Sequence, residues 1–576
     1  MYGDHIISLM PMTVGSIRTK VENFLAENGL KMDKVDTYLA ATSDDYEEIL
    51  AGGGIEKDVI KCVAVSEKAR EEGLAGGIIT QLINIAHENG YSTVKVFTKP
   101  ENKSIFESMG FALLAETDKA VLMENGQAGM AVYLKYLSGL RESGKNGAIV
   151  MNANPFTKGH RYLVEKAAAQ VDNLYVIVVK EDNSRFSYAE RYAMIKAGTK
   201  DIKKVIVCEG SNYAISDTTF PTYFLKKTDD ATDVHIGLDL DIFAKHIAPA
   251  LGVTVRFAGS EPLDKFTANY NRKMAKQLPK QGIEFKEVPR NLDGDEPISA
   301  TALRKALEEG KFTVAANLAY KTSVPYLLAD LAVRSLEEEL DATPKPGLVD
   351  KAGRGAHEDM DYGTMKASIK ALRPYFVELA FCGDESKKMR EIGLRAEKDM
   401  LAATGGVNTH RGSLFAVGLA LTIAAYLWDE KGYITEKDFR KKVAKIAKNI
   451  PESQNSHGAQ MRAKYDIEGA LDNARGAWHD LFEDWLPFYR NLNQKDEYRI
   501  QKLLLRIMST LDDTNILYRK GEDRADKVKY EAKTLLKRFS AEGLEELNRE
   551  FISERISPGG SADMVSLTIF INNIFN

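Results

Sequence analysis

The feature that most constrains the fold is a regular alternation of short apolar runs with helical stretches between residues 148 and 288. Six runs have the length and composition of strands, and helical periodicity fills most of the segments between them. They are Ala148–Met151, Leu174–Val179, Lys204–Cys208, Val234–Leu238, Val253–Ala258 and Ile283–Val288. Strands that alternate with helices predict a parallel sheet with helical crossovers, which is an α/β domain.

The region before this alternation has a mixed α and β pattern. Strand-like runs at Val59–Val65 and Thr93–Phe97 are separated by a helical stretch from Gly76 to Asn89, and a further short helix leads into Gly110-Phe111. Apolar runs next to helical periodicity predict an α+β domain in which helices cover a sheet.

The region after the alternation loses its strand-like runs from about residue 325. Long amphipathic stretches replace them and predict an all-α domain; examples are Tyr326–Leu340, Met365–Ala380, Lys437–Lys448 and Ile500–Thr510. A polar, glycine-containing segment, Arg141–Gly147, predicts a linker. We therefore expect three domains, over residues 1–140, 145–325 and 326–576.

Composition narrows the functional class. The 576-residue chain has a formal net charge of −5, which gives no electrostatic reason to expect a nucleic-acid partner. Its three cysteines are far apart, and the N-terminus lacks the pattern of a signal peptide. The most apolar helix, predicted over Leu414–Trp428, is short for a membrane span and is typical of a buried core helix. We expect a cytoplasmic protein without a membrane partner.

A candidate anion-binding turn follows the first strand of the central domain. Asn152-Ala153-Asn154-Pro155-Phe156-Thr157-Lys158-Gly159-His160 precedes a helix predicted to begin at about Arg161. Free backbone N–H groups and the helix dipole attract phosphate at such a position. Thr157 offers a hydroxyl donor, Gly159 permits close backbone approach, and His160 offers an imidazole. The alternative is an ordinary turn with a helix-capping threonine.

A second motif stands near the end of the same domain, Ile298-Ser299-Ala300-Thr301-Ala302-Leu303-Arg304. Ser299 and Thr301 suit a helix N-cap, and Arg304 lies one turn later. Alone, this motif predicts only a capped helix. Together the two motifs resemble the T/H-x-G-H and I-S-S-T-x-x-R motifs of the nucleotidyltransferase superfamily, with Ala300 where serine is usual.

This resemblance implies a Rossmann-like domain that joins the α-phosphate of ATP to an acceptor and releases pyrophosphate. It implies that Thr157 and His160 stabilise the α-phosphate in the transition state, and that Ser299, Thr301 and Arg304 hold the β- and γ-phosphates. Asn152, Asn154 and Gly159 are further candidates for nucleotide binding. Such a reaction depends on positioning and on neutralising charge rather than on a covalent intermediate.

Further stretches in residues 1–325 are similar to citrate lyase ligase. They are Lys180–Phe186, Arg191, Phe220–Lys226, Gly259–Pro262 and Tyr270-Asn271. The resemblance implies that ATP and acetate form acetyl adenylate. It also implies that the acetyl group passes to the thiol of a dephospho-CoA-type arm on the citrate lyase acyl-carrier subunit.

In the first domain, Arg70, Gly73 and Ala75 stand between a strand and a helix, in an R-x-x-G-x-A spacing. Successive N–H groups at a helix start can bind pyrophosphate. The spacing resembles the acyl-CoA loop of N-acetyltransferases, and the Asn102–Phe111 pattern resembles the second motif of that fold. An ordinary glycine-containing helix start is the alternative. Because no general base is identifiable, we expect an acetyltransferase-like domain that binds the carrier arm without catalysing acetylation.

Four polar clusters mark the helical region. They are Thr343–Asp350 with Gly355–Asp361, Gly405–Ser413, Leu511–Asn515 with Arg519, and Ser557–Asp563. Each cluster alone is more often a loop with a capped helix, and a lone histidine is usually a satisfied polar residue. All four together, in this order, resemble triphosphoribosyl-dephospho-CoA synthase over about residues 326–576.

The resemblance implies transfer of a phosphoribosyl triphosphate from ATP to dephospho-CoA with release of adenine. Carboxylates are the ligands that Mg²⁺ prefers, and Asp359, Asp361 and Asp513 are the candidates. Lys345, Asp359 and Asp513 are candidate catalytic residues. Candidate binding residues are His410, Arg411, Arg519, Gly559, Gly560 and Ser561. The sequence departs from the family after His457-Gly458, since Gly469–Gly476 lacks the family's arginine and glutamate at the expected positions.

The sequence therefore predicts a multidomain, bifunctional enzyme that uses ATP, acetate and dephospho-CoA to mature citrate lyase. Two alternatives stay open at this level. One is an adenylyltransferase that acts on a phosphopantetheine or nicotinamide nucleotide. The other is a module without activity that docks the lyase carrier.

Overall fold

The computed structural model describes residues 6–576 except 44, 127–128, 182–183, 214–223, 225–227, 262–263, 291, 294–295, 452–460, 462–463 and 466. The chain divides into two compact units. The sheet unit contains Met1–Pro155 and Gly159–Pro297, and the helical unit contains Phe156–Lys158 and Ile298–Asn576. The two sheets described next lie in the sheet unit, and the expected division into three domains stays a prediction.

The first sheet has seven strands among the described residues. They are β1 (Ile7–Leu9), β2 (Thr37–Thr42), β3 (Ile49–Glu56), β4 (Val59–Val65), β5 (Thr93–Thr98), β6 (Ala112–Glu116) and β7 (Val121–Gly126), in the order β1-β2-β3-β4-β5-β7-β6. The helices of this region are α1 (Gly15–Glu27), α2 (Leu74–Glu88), α3 (Lys103–Ser108) and α4 (Met130–Gly139). Strands β4 and β5 are parallel and pair only at Val59↔Lys95 and Ile60↔Val96, whereas the other neighbours are antiparallel. The predicted α+β pattern is confirmed, and α2 begins two residues earlier than expected.

The second sheet is parallel throughout. Its strands are β8 (Asn146–Met151), β9 (Asn173–Val178), β10 (Val205–Cys208), β11 (Val253–Gly259) and β12 (Glu284–Val288), in the order β10-β9-β8-β11-β12. The remaining elements are the helices α5 (Lys158–Ala168), α6 (Tyr188–Thr199), α7 (Thr228–Ile242), α8 (Ala248–Leu251) and α9 (Lys265–Gln277), and the short strands β13 (Leu292–Asp293) and β14 (Glu296–Pro297). Five of the six predicted strands are confirmed.

The strand predicted at Val234–Leu238 is wrong, because this segment lies within helix α7. Its apolar residues alternate with other residues, which is a strand-like pattern. In the structure the apolar residues and His235 are all buried. A helix that is buried on most of its circumference has no clear period of 3.6, so pattern alone cannot separate it from a strand.

The helical unit is built from helices from residue 300 onward. They are α10 (Ala300–Glu308), α11 (Phe312–Leu318), α12 (Val324–Asp341), α13 (Tyr362–Phe381), α14 (Ser386–Ala403), α15 (Arg411–Lys431), α16 (Glu436–Lys448), α17 (Ala470–Arg475), α18 (Leu486–Asn491), α19 (Arg499–Met508), α20 (Thr514–Lys520), α21 (Glu522–Lys537), α22 (Ala541–Glu554) and α23 (Gly559–Ile574). Beyond residue 325 the described residues form no strand, only an isolated bridge between Asp350 and Gly353. The all-α prediction is confirmed there.

Helix α15 is the centre of this unit and packs against α12, α13, α16 and α23. It has 21 residues, six more than the predicted Leu414–Trp428, because its polar ends continue the helix beyond the apolar stretch. Among the described residues it is the one helix long and apolar enough to cross a membrane, and 78% of its most apolar window is buried inside the protein.

Candidate functional site

The carboxyl ends of β8 and β9 are joined by one buried side chain, Arg191 of α6. Its Nη1 donates to the carbonyl oxygens of Asn152 and Val179, both at 2.9 Å. Its Nε donates to Phe186 O at 3.1 Å, and its Nη2 donates to Glu181 O at 2.5 Å. The guanidinium therefore fixes the backbone where the first motif begins. The sequence indicated Arg191 only as part of a resemblance and gave it no role.

Two asparagines of the first motif line this strand end. Asn154 Oδ1 accepts from Phe186 N at 3.2 Å, and Asn152 Nδ2 donates to Ser184 Oγ at 3.3 Å. Asn152 Oδ1 is buried and has no hydrogen-bond partner. A buried acceptor without a partner is unfavourable, so this oxygen is available to a donor of a bound ligand.

The residues Phe156 and Thr157 pack within the helical unit. Phe156 O accepts from Tyr320 N at 3.1 Å and from Ser323 Oγ at 2.7 Å, and Thr157 forms an isolated bridge with Ala319. Thr157 is 1% exposed. Helix α5 begins at Lys158, three residues before the predicted start at Arg161, so Gly159 and His160 lie in its first turn.

The second motif is a capped helix start, as predicted. Ser299 is the N-cap of α10, and its Oγ accepts from Ala302 N at 3.0 Å. Arg304 Nη2 donates to Thr301 Oγ1 at 3.1 Å. Thr301 is exposed, whereas Ser299 and Arg304 are half-buried. Thr157, Ser299, Thr301 and Arg304 thus belong to one compact unit, whereas His160 belongs to the sheet unit.

Part of the sequence that resembles citrate lyase ligase lies outside the described residues. This applies to Asp182-Asn183, Phe220–Tyr223, Leu225-Lys226 and Pro262. His457-Gly458 of the helical region also lies outside them. The departing segment that follows is described: Gly469 begins α17, where its N–H donates to Asp472 Oδ2 at 3.0 Å.

The R-x-x-G-x-A segment, for which the sequence predicts acyl-CoA binding, is an exposed helix start. Gly73 adopts φ +71° and precedes α2, a conformation that favours glycine. Ala75 lies in the first turn of α2. Arg70 is 64% exposed and lies 3.6 Å from Glu67. This loop can present backbone N–H groups to an anion.

In the helical unit, a buried ion pair joins the first cluster to α12. Lys345 Nζ lies 2.5 Å from Glu339 Oε1, and Lys345 N donates to Asp350 Oδ2 at 2.9 Å. Glu339 is not among the site residues that the sequence predicts. A signal was present, because Glu339 lies three and four residues after Leu336 and Ser335 on the buried face of α12.

The first and fourth clusters meet at His357. Its Nε2 lies 2.8 Å from Ser557 Oγ, and its Nδ1 lies 3.7 Å from Asp359 Oδ1. Burial, and then the positive charge of Arg519, lowers the pKa of His357 below its ordinary value. The first, third and fourth clusters are therefore electrostatically coupled at this point.

The third and fourth clusters meet at Asp513. Its Oδ2 accepts from Ser561 N at 2.7 Å and from Ser561 Oγ at 2.9 Å, and its Oδ1 accepts from Asn515 N at 3.0 Å. A Cβ added at Gly560 would lie 3.1 Å from Asp513 Oδ1, and one added at Gly559 would lie 2.8 Å from Asn515 Nδ2. A side chain at either glycine would therefore need Asn515 or Asp513 to shift.

The second and fourth clusters meet at Asp563, which the sequence analysis quoted without assigning it a role. Ser413 Oγ donates to its Oδ1 at 2.5 Å, and a Cβ added at Gly412 would lie 1.9 Å from its Oδ2. Burial raises the pKa of Asp563 to about 7; the negative charges of Asp513 and Glu339 raise it as well, and the Ser413 hydrogen bond opposes them. This carboxyl can therefore hold a proton near neutral pH.

His410 is the other unusual group of the second cluster. It is 3% exposed, and its Nδ1 lies 2.8 Å from Ser368 Oγ, which accepts from Thr409 Oγ1 at 2.6 Å. Burial, and then the charge of Lys345, lowers the pKa of His410 to about 3, so the ring is neutral. The ring Nε2 is buried without a hydrogen-bond partner and is available to a bound ligand.

The structure therefore brings the four predicted clusters together. It does not assemble the three predicted magnesium ligands into one group: no three His, Cys, Asp or Glu side chains converge on a metal position in the part of the chain that is described. Asp361 is the N-cap of α13, and Asp359 is 62% exposed beside His357. Mg²⁺ often binds through one or two carboxylates together with substrate phosphates, so a role for single members of this set stays a prediction.

The two remaining predicted cations lie at the rim of these clusters. Arg411 is 53% exposed, and its Nε lies 3.1 Å from Glu397 Oε1. Arg519 is exposed in α20. Both are accessible to a polyanionic ligand.

A parallel sheet, followed in the same chain by a helical unit with a buried polar centre, is typical of a multidomain enzyme. Family models match twice: the citrate lyase ligase C-terminal domain over residues 146–327, and ATP:dephospho-CoA triphosphoribosyl transferase over residues 325–576. The chain belongs to the citrate lyase ligase family in its first part and to the triphosphoribosyl-dephospho-CoA synthase family in its last part.

Curated relatives match each part over most of their own length. The chain is 40% identical to [citrate [pro-3S]-lyase] ligase of Escherichia coli (strain K12) over 335 residues, which are 57% of this chain and 95% of the relative. It is 39% identical to the Klebsiella pneumoniae protein of that name, over 54% of this chain and 92% of the relative. A "Probable 2-(5''-triphosphoribosyl)-3'-dephosphocoenzyme-A synthase" of Stutzerimonas stutzeri (strain A1501) is 35% identical over 43% of this chain and 91% of the relative. The resemblances to citrate lyase ligase and to triphosphoribosyl-dephospho-CoA synthase are confirmed.

Proposed function

We propose that this chain is a bifunctional enzyme that makes and then acetylates the prosthetic group of citrate lyase. The observation that carries the proposal is the near full-length match of two different families to consecutive parts of one chain. The two reactions share the dephospho-CoA skeleton, which gives the fusion a chemical reason. Its partners would be the citrate lyase acyl-carrier subunit, ATP, acetate and dephospho-CoA, in the cytoplasm.

The ligase reaction would use the second sheet as a Rossmann-like scaffold. Counted along the chain, its strand order is 3-2-1-4-5, which matches the first five strands of the dinucleotide-binding order 3-2-1-4-5-6 and supports this assignment. An acetate oxygen attacks the α-phosphorus of ATP, pyrophosphate leaves, and the carrier thiol then displaces AMP from acetyl adenylate. Thr157 and His160 would stabilise the α-phosphate, and Ser299, Thr301 and Arg304 the β- and γ-phosphates. Asn152, Asn154 and Gly159 would contact the nucleotide.

The synthase reaction would use the polar centre of the helical unit. The bond between C1′ of the ATP ribose and adenine breaks, and a bond from C1′ to a dephospho-CoA hydroxyl oxygen forms. The hydroxyl proton leaves with adenine. Lys345, Arg411 and Arg519 would neutralise the triphosphate, and His410 Nε2 would hydrogen-bond to the ligand. Gly559, Gly560 and Ser561 would present the start of α23 to a phosphate.

Asp359, Asp361 and Asp513 are the proposed magnesium contacts, and the bound ion would neutralise phosphate charge. Asp513 has both oxygens engaged by Ser561 and Asn515, so the exposed Asp359 is the more accessible of these carboxylates. In the first domain, Arg70, Gly73 and Ala75 would hold the pantetheine end of the carrier arm.

The test is mass spectrometry of the products that the full chain forms from ATP and dephospho-CoA and, in a second reaction, from ATP, acetate and a carrier that already bears its prosthetic group. We expect adenine with triphosphoribosyl-dephospho-CoA in the first reaction, and AMP with pyrophosphate and an acetylated carrier in the second. If pyrophosphate forms only with a phosphorylated nucleotide and not with acetate, the ligase proposal is wrong and the first part of the chain is an adenylyltransferase. Carrier binding without any ATP turnover would overturn both halves and support a docking module.

A further inference from the structure

A buried cation in the sheet unit has no role in either proposed reaction. Arg256 of β11 is 3% exposed, and its guanidinium carbon lies 4.2 Å from the ring centroid of Phe243. Its Nη2 donates to the hydroxyl of Tyr270 at 3.2 Å, and that hydroxyl in turn donates to Asp239. Its Nη1 is buried and has no hydrogen-bond partner. A buried guanidinium N–H without an acceptor is costly, which makes it a candidate contact for a ligand.

The guanidinium faces a small cavity that is apolar on most of its surface. The cavity has a volume of about 20 Å³. Val150 of β8 and Ile177 of β9 line one side, and Phe243 and Ile247 line another. Val150 is one residue before the end of β8, so the cavity lies close to the strand end from which the Asn152–His160 motif continues.

The wall formed by Phe243 and Ile247 has an unusual backbone. Residues Phe243–Ile247 form a π-helical turn between α7 and α8. Such turns are rare and occur often at functional sites, because they displace side chains from regular helical positions. Here the turn directs two apolar side chains toward Arg256.

We propose that Arg256 and this cavity form the binding site for a small aliphatic monocarboxylate, with the carboxylate on Nη1 and the alkyl group against Val150, Ile177 and Ile247. The proposal rests on the ligase function given above, in which acetate is that carboxylate. The planar guanidinium matches a carboxylate group. The apolar walls match a methyl group, and the volume excludes long acids. Asp239 also lines the cavity, and its charge would repel a phosphate dianion more strongly than a carboxylate monoanion.

The first test replaces the cation. Arg256→Met keeps the length of the side chain and removes its N–H donors, and Arg256→Lys keeps the charge in a different geometry. For Arg256→Met we expect the KM for acetate in acetate-dependent ATP–pyrophosphate exchange to rise by about 100-fold, with the KM for ATP changed by less than about threefold. Arg256→Lys should lie between Arg256→Met and the unaltered chain. A folded Arg256→Met with an unaltered KM for acetate would overturn the proposal.

The second test changes the apolar wall and does not depend on the stability of the Arg256 variants. Ile247→Ala enlarges the cavity, so the ratio of kcat/KM for propionate to that for acetate should rise by about 10-fold or more. Ile79→Ala, a buried isoleucine of α2 that does not line the cavity, is the matched control. An unaltered ratio in Ile247→Ala would contradict the proposal.

Direct binding separates this proposal from the ligase function. Saturation-transfer NMR with acetate alone should detect binding to the full chain and its loss in Arg256→Met. If the unaltered chain shows no acetate-dependent exchange but binds acetate through Arg256, the ligase function fails and the carboxylate site stands. If exchange is normal but neither acetate binding nor the KM for acetate changes in the Arg256 and Ile247 variants, the ligase function stands and the carboxylate site fails.

Discussion

Lys345 and Glu339 form an ion pair of 2.5 Å in the core of the helical unit, with side chains that are 2% and 6% exposed. The desolvation of two buried charges is offset only while both partners are present. Glu339 therefore holds the Lys345 cation in the polar centre, where its charge also lowers the pKa of His410. A glutamate of α12 thus acts on the predicted site through the lysine.

Removing one partner of this pair should destabilise the helical unit. For Glu339→Gln we expect a loss of about 3–5 kcal/mol in the free energy of unfolding, because Lys345 is left buried and unpaired. Adenine release should be lost and acetyl adenylate formation kept. Unfolding can be followed by tryptophan fluorescence, since all three tryptophans, Trp428, Trp478 and Trp485, lie in the helical unit.

Two further variants make this test specific. Glu378→Gln breaks an exposed pair with Arg395 at 2.6 Å and should change stability by less than about 1 kcal/mol. The double variant Glu339→Gln/Lys345→Met should recover stability without recovering adenine release. Recovery of adenine release as well would show that Lys345 has no part in the synthase reaction.

We expect the proposed ligase reaction to depend on His160, which lies in the first turn of α5. His160→Ala should keep the fold and lower the rate of acetyl adenylate formation by at least ~100-fold, by analogy with the loss of a donor to transition-state charge. The measurement is acetate-dependent ATP–pyrophosphate exchange. His87→Ala, an exposed histidine of α2, is the control and should be unaffected. A rate for His160→Ala near that of the control would remove His160 from the mechanism.

Asp361 combines a structural and a proposed metal-binding role, and two substitutions separate them. Its Oδ1 accepts from Thr364 N and from Thr364 Oγ1, both at 2.9 Å. Asp361→Ala should lose about 1 kcal/mol of stability with the N-cap, whereas Asp361→Asn keeps a good cap. If Asp361 contacts Mg²⁺, Asp361→Asn should still lower adenine release by at least ~10-fold and raise the magnesium concentration needed. Adenine release at the unaltered rate in Asp361→Asn would leave Asp361 as a cap only.

Local patterns were enough to predict much of the fold and part of the sites. The strand β8, the capped start of α10 at Ser299 and the buried helix α15 follow from periodicity and capping over a few residues. The strand predicted at Val234–Leu238 was wrong because a helix that is buried on most sides has no period that distinguishes it from a strand. A local pattern shows the type of an element, and it shows less well how many of its faces are covered.

The residues that complete the sites were harder to predict, because their roles depend on tertiary contacts. Arg191 acts on four carbonyl groups that come together only when β8 and β9 pair. Asp563 was visible as one more polar residue of a glycine-rich loop, and its contact with Ser413 joins positions 150 residues apart in sequence. Glu339 is the exception, since a charged residue on the apolar face of a predicted helix was readable in advance.

Asp563 predicts how the stability of the helical unit varies with pH. Burial raises its folded-state pKa to about 7, whereas an unfolded aspartate has a pKa of about 3.9. At a pH between these two pKa values, Asp563 keeps its proton in the folded state and has lost it in the unfolded state. The free energy of unfolding should therefore fall as pH rises from about 5 to about 7, by as much as about 1 kcal/mol per pH unit.

Asp563→Asn isolates this contribution, because the amide oxygen can still accept from Ser413 and the group cannot ionise. We expect the variant to lose most of the slope between pH 5 and 7 in tryptophan-monitored urea unfolding. Asp526→Asn, at an exposed position of α21, should keep the slope of the unaltered chain. If the free energy of unfolding of Asp563→Asn varies with pH as that of the unaltered chain does, the pH dependence comes from another group. Asp513 shares the direction of its pKa shift with Asp563, so it would be the next carboxyl to replace.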